Sequence, residues 1–279
     1  MHVCTFINRD GRESVGVVKG ESIIELPDYK DMVEFIGTCD PYRIQKSLER
    51  AERAYDFGET RFMAPVTNPE KMIFVGLNYR DHARETNSPI PEYPILFSKF
   101  RNSLIGHNEN IVIPGETKKC DYEAELAFIV GRTARNIRIE DAMQYVFGYT
   151  ICNDVSARDL QKRVSQWLSG KSADTFAPMG PVIVTADEIE DPHNLNIGCR
   201  INGVQRQKSN TRELIFTVPY LLSYISRTIT LQPGDIISTG TPSGVALGME
   251  NPVWLKEGDI CEIEVEGIGI LRNGIVNGE

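Results

Sequence analysis

The feature that most constrains this chain is a cadence of short apolar or alternating runs from Lys71 onward: MIFVGL, PILFSKF, NIVIPG, AELAFIVG, YVFGYTICN, PVIVTA, LNIGCRING, DIISTG and CEIEVEGIGI. Gly, Pro, Asn and Asp punctuate them, as expected for strands separated by turns. Helical patterns interrupt at IEDAM, after Asn153 and at FTVPYLLSYIS. They do not alternate regularly with the strands, which argues against a doubly wound parallel sheet. The pattern predicts an α+β chain that is mainly β, a mixed sandwich or roll. Before Lys71 the texture differs. VCTFIN, SVGVVKG and SIIEL read as strands, DMVEFIG and YRIQKSLERAERAYD as helices, and GETRFMAPVTNPEK as a turn-rich linker. Residues 1–66 are therefore expected to form a small α+β domain ahead of a larger β domain over 67–279.

Composition narrows the function. The chain has 279 residues, a net charge of −9 and a pI near 5.1. That balance disfavours nonspecific binding to nucleic acid or to an anionic membrane. No run of apolar residues is long enough to span a bilayer, and charge interrupts MHVCTFINRDGRE too early for a signal peptide. The expectation is a soluble, cytoplasmic protein. The six cysteines are scattered without a C-x-x-C pair, so they read as small buried hydrophobes rather than zinc or redox ligands.

Three stretches carry candidate chemistry. In DYEAELAFIV a strand would point Glu123 and Glu125 to one face. Two such carboxylates repel unless positive charge lies between them, and a hard divalent cation meets that need. Asp154, closing YTICNDVSARD, would supply a third carboxylate. The same residues also fit a solvated strand face and a helix N-cap. In GLNYRDHARE, His82 and Glu85 share a face if the segment is helical. They could form a general-base dyad or an exposed i,i+3 pair. GKS at 170–172 lacks the P-loop glycine, since Ser165 stands in its place. Lys171 is left as a site cation or a loop lysine. STGTPSGVALG could hold an anion on its backbone amides or be a tight turn. His107 and His193 lie in turn-like sequence and are expected to be exposed. No serine or cysteine triad pattern surrounds any histidine.

Taken in order, GLNYRDHARE, DYEAELAFIVGR, GYTICNDVSARDLQ, GKSADTFAPMGP and STGTPSGVALGM resemble the fumarylacetoacetate hydrolase family over about three quarters of the chain. The N-terminal module resembles the small leading domain of two-domain bacterial members. The resemblance implies a dimeric β-roll with Mg²⁺ or Mn²⁺ held by Glu123, Glu125 and Asp154. It implies Lys171 beside the substrate, Arg158 and Gln161 as polar substrate contacts, and Thr241 at the substrate carboxylate. His82 and Glu85 match the catalytic dyad, on a mobile lid. Many members carry Lys-Pro where this chain has Lys99-Phe100, a departure expected to reshape the pocket wall. The implied substrate is a 2-oxo or 1,3-diketo acid. The first choice of reaction is metal-dependent hydrolysis of a C–C bond in an acylpyruvate or 2,4-diketo acid. The alternatives are a 2-oxo acid (oxaloacetate-type) decarboxylase, a 2-hydroxymuconate-type isomerase, or a non-catalytic binding protein.

Overall fold

A computed structural model describes residues 1–51 and 53–278. Its backbone is a large mixed sheet packed against a smaller one. From edge to edge the large sheet runs Ala54–Asp56, Ser22–Glu25, Glu13–Lys19, His2–Ile7, Ala177–Thr185, Val146–Asn153, Ala124–Val130, Ile236–Ser238, Met72–Gly76 and Ile95–Ser98. Leu104–Ile105 joins it beside Ala177–Thr185. The second sheet orders Val204–Asn210, Asn196–Ile201, Ile260–Val265, Gly269–Asn277 and Ile111–Ile113. The ladder continues across the N-terminal module through His2↔Val184 and Val3↔Ile183.

Burial explains the two textures of the sequence. Ala124–Val130 and Ala177–Thr185 are buried at every position, because both faces of the large sheet are covered. Ile260–Val265 alternates buried and half-buried or exposed residues, as a sheet with one wet face should. Along the central strand Leu126, Phe128 and Val130 enter the core between the sheets, whereas Ala127 and Ile129 enter the core on the opposite face. The N-terminal helix Met32–Thr38 covers part of that opposite face with Met32, Phe35 and Ile36, spaced i, i+3, i+4. Asp31 caps it by accepting from the Glu34 N–H at 2.8 Å.

Two local expectations need correction. The helix in YRIQKSLERAERAYD stops at Glu49, and Ala54–Asp56 is an edge strand. Residue Glu52 of that run lies outside the described residues. Pairing of Ile23 with Tyr55 and burial of Tyr55 outweigh the helical pattern there. His107 and His193 are half-buried structural acceptors. His107 Nδ1 accepts from the Arg272 N–H, and His193 Nε2 accepts from the Val218 N–H that opens the helix Val218–Ser226. Five cysteines are buried and Cys39 is exposed.

Gly148 sits where Val146–Asn153 meets its neighbour. A Cβ there would lie 2.3 Å from the Val184 carbonyl oxygen and 3.0 Å from Thr185 Cα. Backbone cannot give way as a side-chain tip can, so Gly148→Ala is expected to cost about 1–3 kcal/mol as overpacking. Calorimetry should show a melting temperature lowered by several degrees; an unchanged one would mean that the sheet yields at this point.

Candidate active site

The central strand and its neighbour end at the site. Ala124 pairs with Asn153 and Glu125 with Cys152. The pairing continues one step further, with the Asp154 N–H donating to the Glu123 carbonyl at 3.0 Å. Asn153 Oδ1 accepts from the Glu123 N–H at 3.0 Å. The geometry places one oxygen each of Glu123, Glu125 and Asp154 within 4.8 Å of one another, all three residues buried.

Such a cluster needs compensating donors, and every carboxylate in it has them. Lys171 Nζ donates to Glu123 Oε2 at 2.8 Å and to Asp154 Oδ2 at 2.6 Å. It also lies 5.0 Å from the centre of the Phe97 ring. Arg158 donates from Nε to Asp121 Oδ2 at 2.8 Å and from its other nitrogens to Gln161 and Glu123. Glu125 Oε2 accepts from the Ser238 hydroxyl and from the Gly240 N–H. Burial works to raise the pKa of Glu123, but Arg158 and Lys171 outweigh it and hold the carboxyl below its ordinary range. Glu125 goes the other way. Burial, then the charges of Asp154 and Glu123, push its pKa well above normal. Burial works to lower the Lys171 pKa, yet Asp154 and Glu123 leave it raised.

This donor set fits a hard divalent cation. It is all carboxylate oxygen. Asp154 Oδ1 is buried, and among the described residues the Lys99 ammonium, 2.6 Å away, is its charged neighbour. The mutual repulsion that raises Glu125 is the kind a dication relieves.

The two short helices Arg158–Gln161 and Leu168–Lys171 bring Arg158, Gln161 and Lys171 to the same wall. Gly170 makes this possible, since a Cβ there would lie 2.5 Å from the Gln161 nitrogen. The glycine of GKS thus serves helix contact rather than a phosphate. STGTPSGVALG does hold carboxylates on its amides, but they are the protein's own. The Gly240 N–H binds Glu125, the Gly244 N–H binds Glu85 at 2.9 Å, and the Ala246 and Leu247 N–H groups bind Asp121.

GLNYRDHARE forms the helix Arg80–Glu85. His82 Nδ1 lies 3.2 Å from Glu85 Oε2, and both residues line the cavity. With Nδ1 facing the carboxylate, Nε2 is the ring nitrogen left to handle a proton. The helix is tied down at several points. Asn78 Nδ2 donates to the Phe216 and Thr239 carbonyls, Ser209 donates to Asp81, and Arg80 donates to the Leu214 carbonyl. Lid movement here would have to release such contacts.

The cavity measures about 700 Å³. It brings together every predicted site residue: His82, Glu85, Glu123, Glu125, Asp154, Arg158, Gln161, Lys171 and Thr241 all line it. Ile95, Phe97, Val164, Trp167 and Leu247 supply apolar lining to the same cavity. All three side-chain nitrogens of Arg158 donate to protein groups, Asp121, Gln161 and Glu123. Sequence reasoning missed Asp121 and Lys99. Lys99 is buried, lies 2.6 Å from Asp154 Oδ1 and donates to the Val155 and Phe176 carbonyls. Burial lowers its pKa against the pull of Asp154. Phe100 does not reshape the pocket: it is 55% exposed and does not line it.

Comparisons with known proteins point to one family. A family model described as fumarylacetoacetate (FAA) hydrolase C-terminal matches residues 71–276. A protein named a mitochondrial oxaloacetate tautomerase, from Bos taurus, is 45% identical over 266 residues, covering 92% of this chain and 85% of that one. A fumarylacetoacetate hydrolase structure from Exiguobacterium antarcticum superposes with a TM-score of 0.89 at 38% identity, covering 100% of both chains. A maleylpyruvate hydrolase structure from a Sphingobium species, in complex with manganese(II) and pyruvate, superposes with a TM-score of 0.83 at 31% identity over 100% of both. The mitochondrial relatives lend no support to a cytoplasmic location. Among the described residues no helix is long and apolar enough to cross a membrane.

Two measurements test the site. Glu125→Ala should abolish Mg²⁺ or Mn²⁺ binding in calorimetry, and an unchanged affinity would remove the cation from this cluster. Arg158→Ala strands two buried carboxylates and should cost about 3–5 kcal/mol in denaturant unfolding. A loss below about 1 kcal/mol would mean that water replaces the guanidinium.

Proposed function

The chain belongs to the fumarylacetoacetate hydrolase family, and from that premise we propose that it moves a proton on a 2-oxo acid of the oxaloacetate type, interconverting keto and enol forms. The observation that carries this reading is His82, backed by Glu85 and lining the same cavity as the buried carboxylates. The name of the Bos taurus relative supports the same reading.

Glu123, Glu125 and Asp154 would hold Mg²⁺ or Mn²⁺, which when bound supplies a Lewis acid for the 2-oxo oxygen and the adjacent carboxylate. The protein's own groups do the rest. Thr241 seats the substrate carboxylate. Lys171 places positive charge beside the oxygen that gains electron density, without becoming a covalent nucleophile. Gln161, whose Oε1 is taken by Arg158, turns its amide N–H groups to the substrate. His82 Nε2 removes the proton from the carbon beside the 2-oxo group. The electron pair of that C–H bond moves into the new C=C bond, the C=O π pair moves onto the oxygen, and the oxygen takes a proton from solvent to give the enol while His82 returns its proton to solvent. Glu85 fixes the ring orientation throughout.

A second reading, hydrolysis of an acylpyruvate or 2,4-diketo acid, is favoured by the apolar lining at Ile95, Phe97, Val164 and Trp167. A four-carbon diacid needs no such lining, whereas an acyl chain would pack on it. His82 would then take its proton from water. Decarboxylation of an oxaloacetate-type acid and 2-hydroxymuconate-type isomerisation use the same charged cluster. The homodimer implied by the family remains part of this proposal, supported by exposed Ile90, Tyr93 and Phe100 on one segment. Light scattering at micromolar concentration should give twice the 31.3 kDa chain mass, and a monomer mass refutes it.

The deciding assay follows the ultraviolet absorbance of oxaloacetate enol with Mg²⁺ or Mn²⁺ present, beside pyruvate release from an acylpyruvate. Wild type should accelerate enol equilibration. His82→Ala should lower turnover by roughly 10²–10⁴-fold while cation affinity and melting temperature hold. Near-normal turnover in His82→Ala ends the dyad's role. Acylpyruvate cleavage without tautomerisation transfers the assignment to the second reading. Turnover of neither substrate points to a binding protein.

A further inference from the structure

Gln207 belongs to none of the motifs that mark the site, yet it connects two of them. It lies in the strand Val204–Asn210 of the second sheet and is fully buried. Its Oε1 accepts from the Ala124 N–H at 2.9 Å. Its Nε2 donates to Thr241 Oγ1 at 2.8 Å and to the Pro242 carbonyl at 2.9 Å. The amide can point only one way. The Ala124 N–H is donor only and the Pro242 carbonyl is acceptor only, so both ends of the side chain are fixed by backbone. Thr241 Oγ1 must therefore accept from Gln207.

A hydroxyl has one proton to give. With its oxygen accepting from Gln207, and with no acceptor for its proton among the described residues, Thr241 can donate only into the cavity it lines. A donor presented there favours an anionic carboxylate oxygen over a ligand group that is itself a donor. The other end of Gln207 holds the backbone between Glu123 and Glu125. One side chain thus sets the spacing between the carboxylate seat and the cluster that would hold the cation.

We propose that Gln207 is a positioning residue that makes the Thr241 hydroxyl an obligate hydrogen-bond donor to the carboxylate of a 2-oxo acid. This rests on the reading of Thr241 as the carboxylate seat, and the test separates the two claims.

The test is a double-mutant cycle between Gln207→Met, which keeps volume and adds no charge, and Thr241→Val, which removes the hydroxyl. The first readout is the dissociation constant of pyruvate by calorimetry at saturating Mn²⁺, which needs no turnover. The second is KM against kcat for oxaloacetate. Each single variant should weaken pyruvate binding about tenfold, as loss of a hydrogen bond to a charged group would. KM should rise in step, with kcat within about a factor of two. The double variant should be no weaker than Thr241→Val alone. If Gln207→Met fails to fold, Gln207→Asn keeps the amide but cannot span both partners, and the same cycle applies. Unchanged pyruvate affinity in the Gln207 variant overturns the role of Gln207, as does an equal further loss in the Thr241→Val background. In both cases a weakened Thr241→Val leaves the carboxylate seat standing. Wild-type affinity in Thr241→Val removes the seat, and the role of Gln207 with it.

Discussion

Four carboxylates are buried together: Glu123, Glu125 and Asp154 line the cavity, and Asp121 is joined to them through Arg158. Charges taken out of water cost several kcal/mol each unless they are paired and hydrogen-bonded. Much of the local architecture answers that single constraint. Arg158 spans Asp121 and Glu123, Lys171 spans Glu123 and Asp154, and Lys99 lies under Asp154. Backbone amides add to these cations. The loop after Ile236–Ser238 turns N–H groups onto Glu125, Glu85 and Asp121 in succession. Its glycines follow from this. Gly240 and Gly244 have positive φ, and Gly248 leaves the space that Glu85 fills.

The sheets decide where this charge can sit. Leu126, Phe128 and Val130 face the core between the sheets, so Glu123 and Glu125 take the alternate face. Farther along that face Ala127 and Ile129 are covered by the N-terminal module. Before that cover begins, the face opens into the cavity. The period of two that makes a strand amphipathic here separates core from chemistry on one segment. The second sheet contributes through Gln207, which enters the site from the far side of the core.

Parts of this were legible in residues alone. The E-x-E spacing announced a same-face pair because strand periodicity is strict, and Glu85 three residues after His82 announced a helical pair. The mainly β texture after Lys71 was clear from run lengths and turn residues. Other parts had no local signal. Lys99 follows a short strand as a surface lysine would, and only the approach of Asp154 and Val155 shows it buried. Asp121 carries no mark in its own segment, and only Arg158 and the Ala246 and Leu247 amides, from distant sequence, reveal its place. Gln207 sits in VQRQKSN, a run with no apolar pattern, and its partners are 83 and 34 residues away. The strand at Ala54–Asp56 was hidden by helix-forming neighbours, since tertiary pairing overrides a short propensity signal.

The link between Glu85 and the Gly244 amide bears on how such an enzyme can diversify. Glu85, which faces His82, and the loop that carries Thr241 are one hydrogen-bonded unit. That unit shares Asp121 with Arg158 and Gln207 with the carboxylate strand. A replacement in the charged cluster therefore disturbs several groups at once. Val164 and Ile95 stand apart from this network: Val164 is 61% exposed and Ile95 lies on an edge strand. Substitutions there alter the shape offered to the distal end of a substrate and leave the polar network whole. Under the proposed reading, relatives on this scaffold can exchange one acid for another by substitution at such positions while the charged cluster is kept.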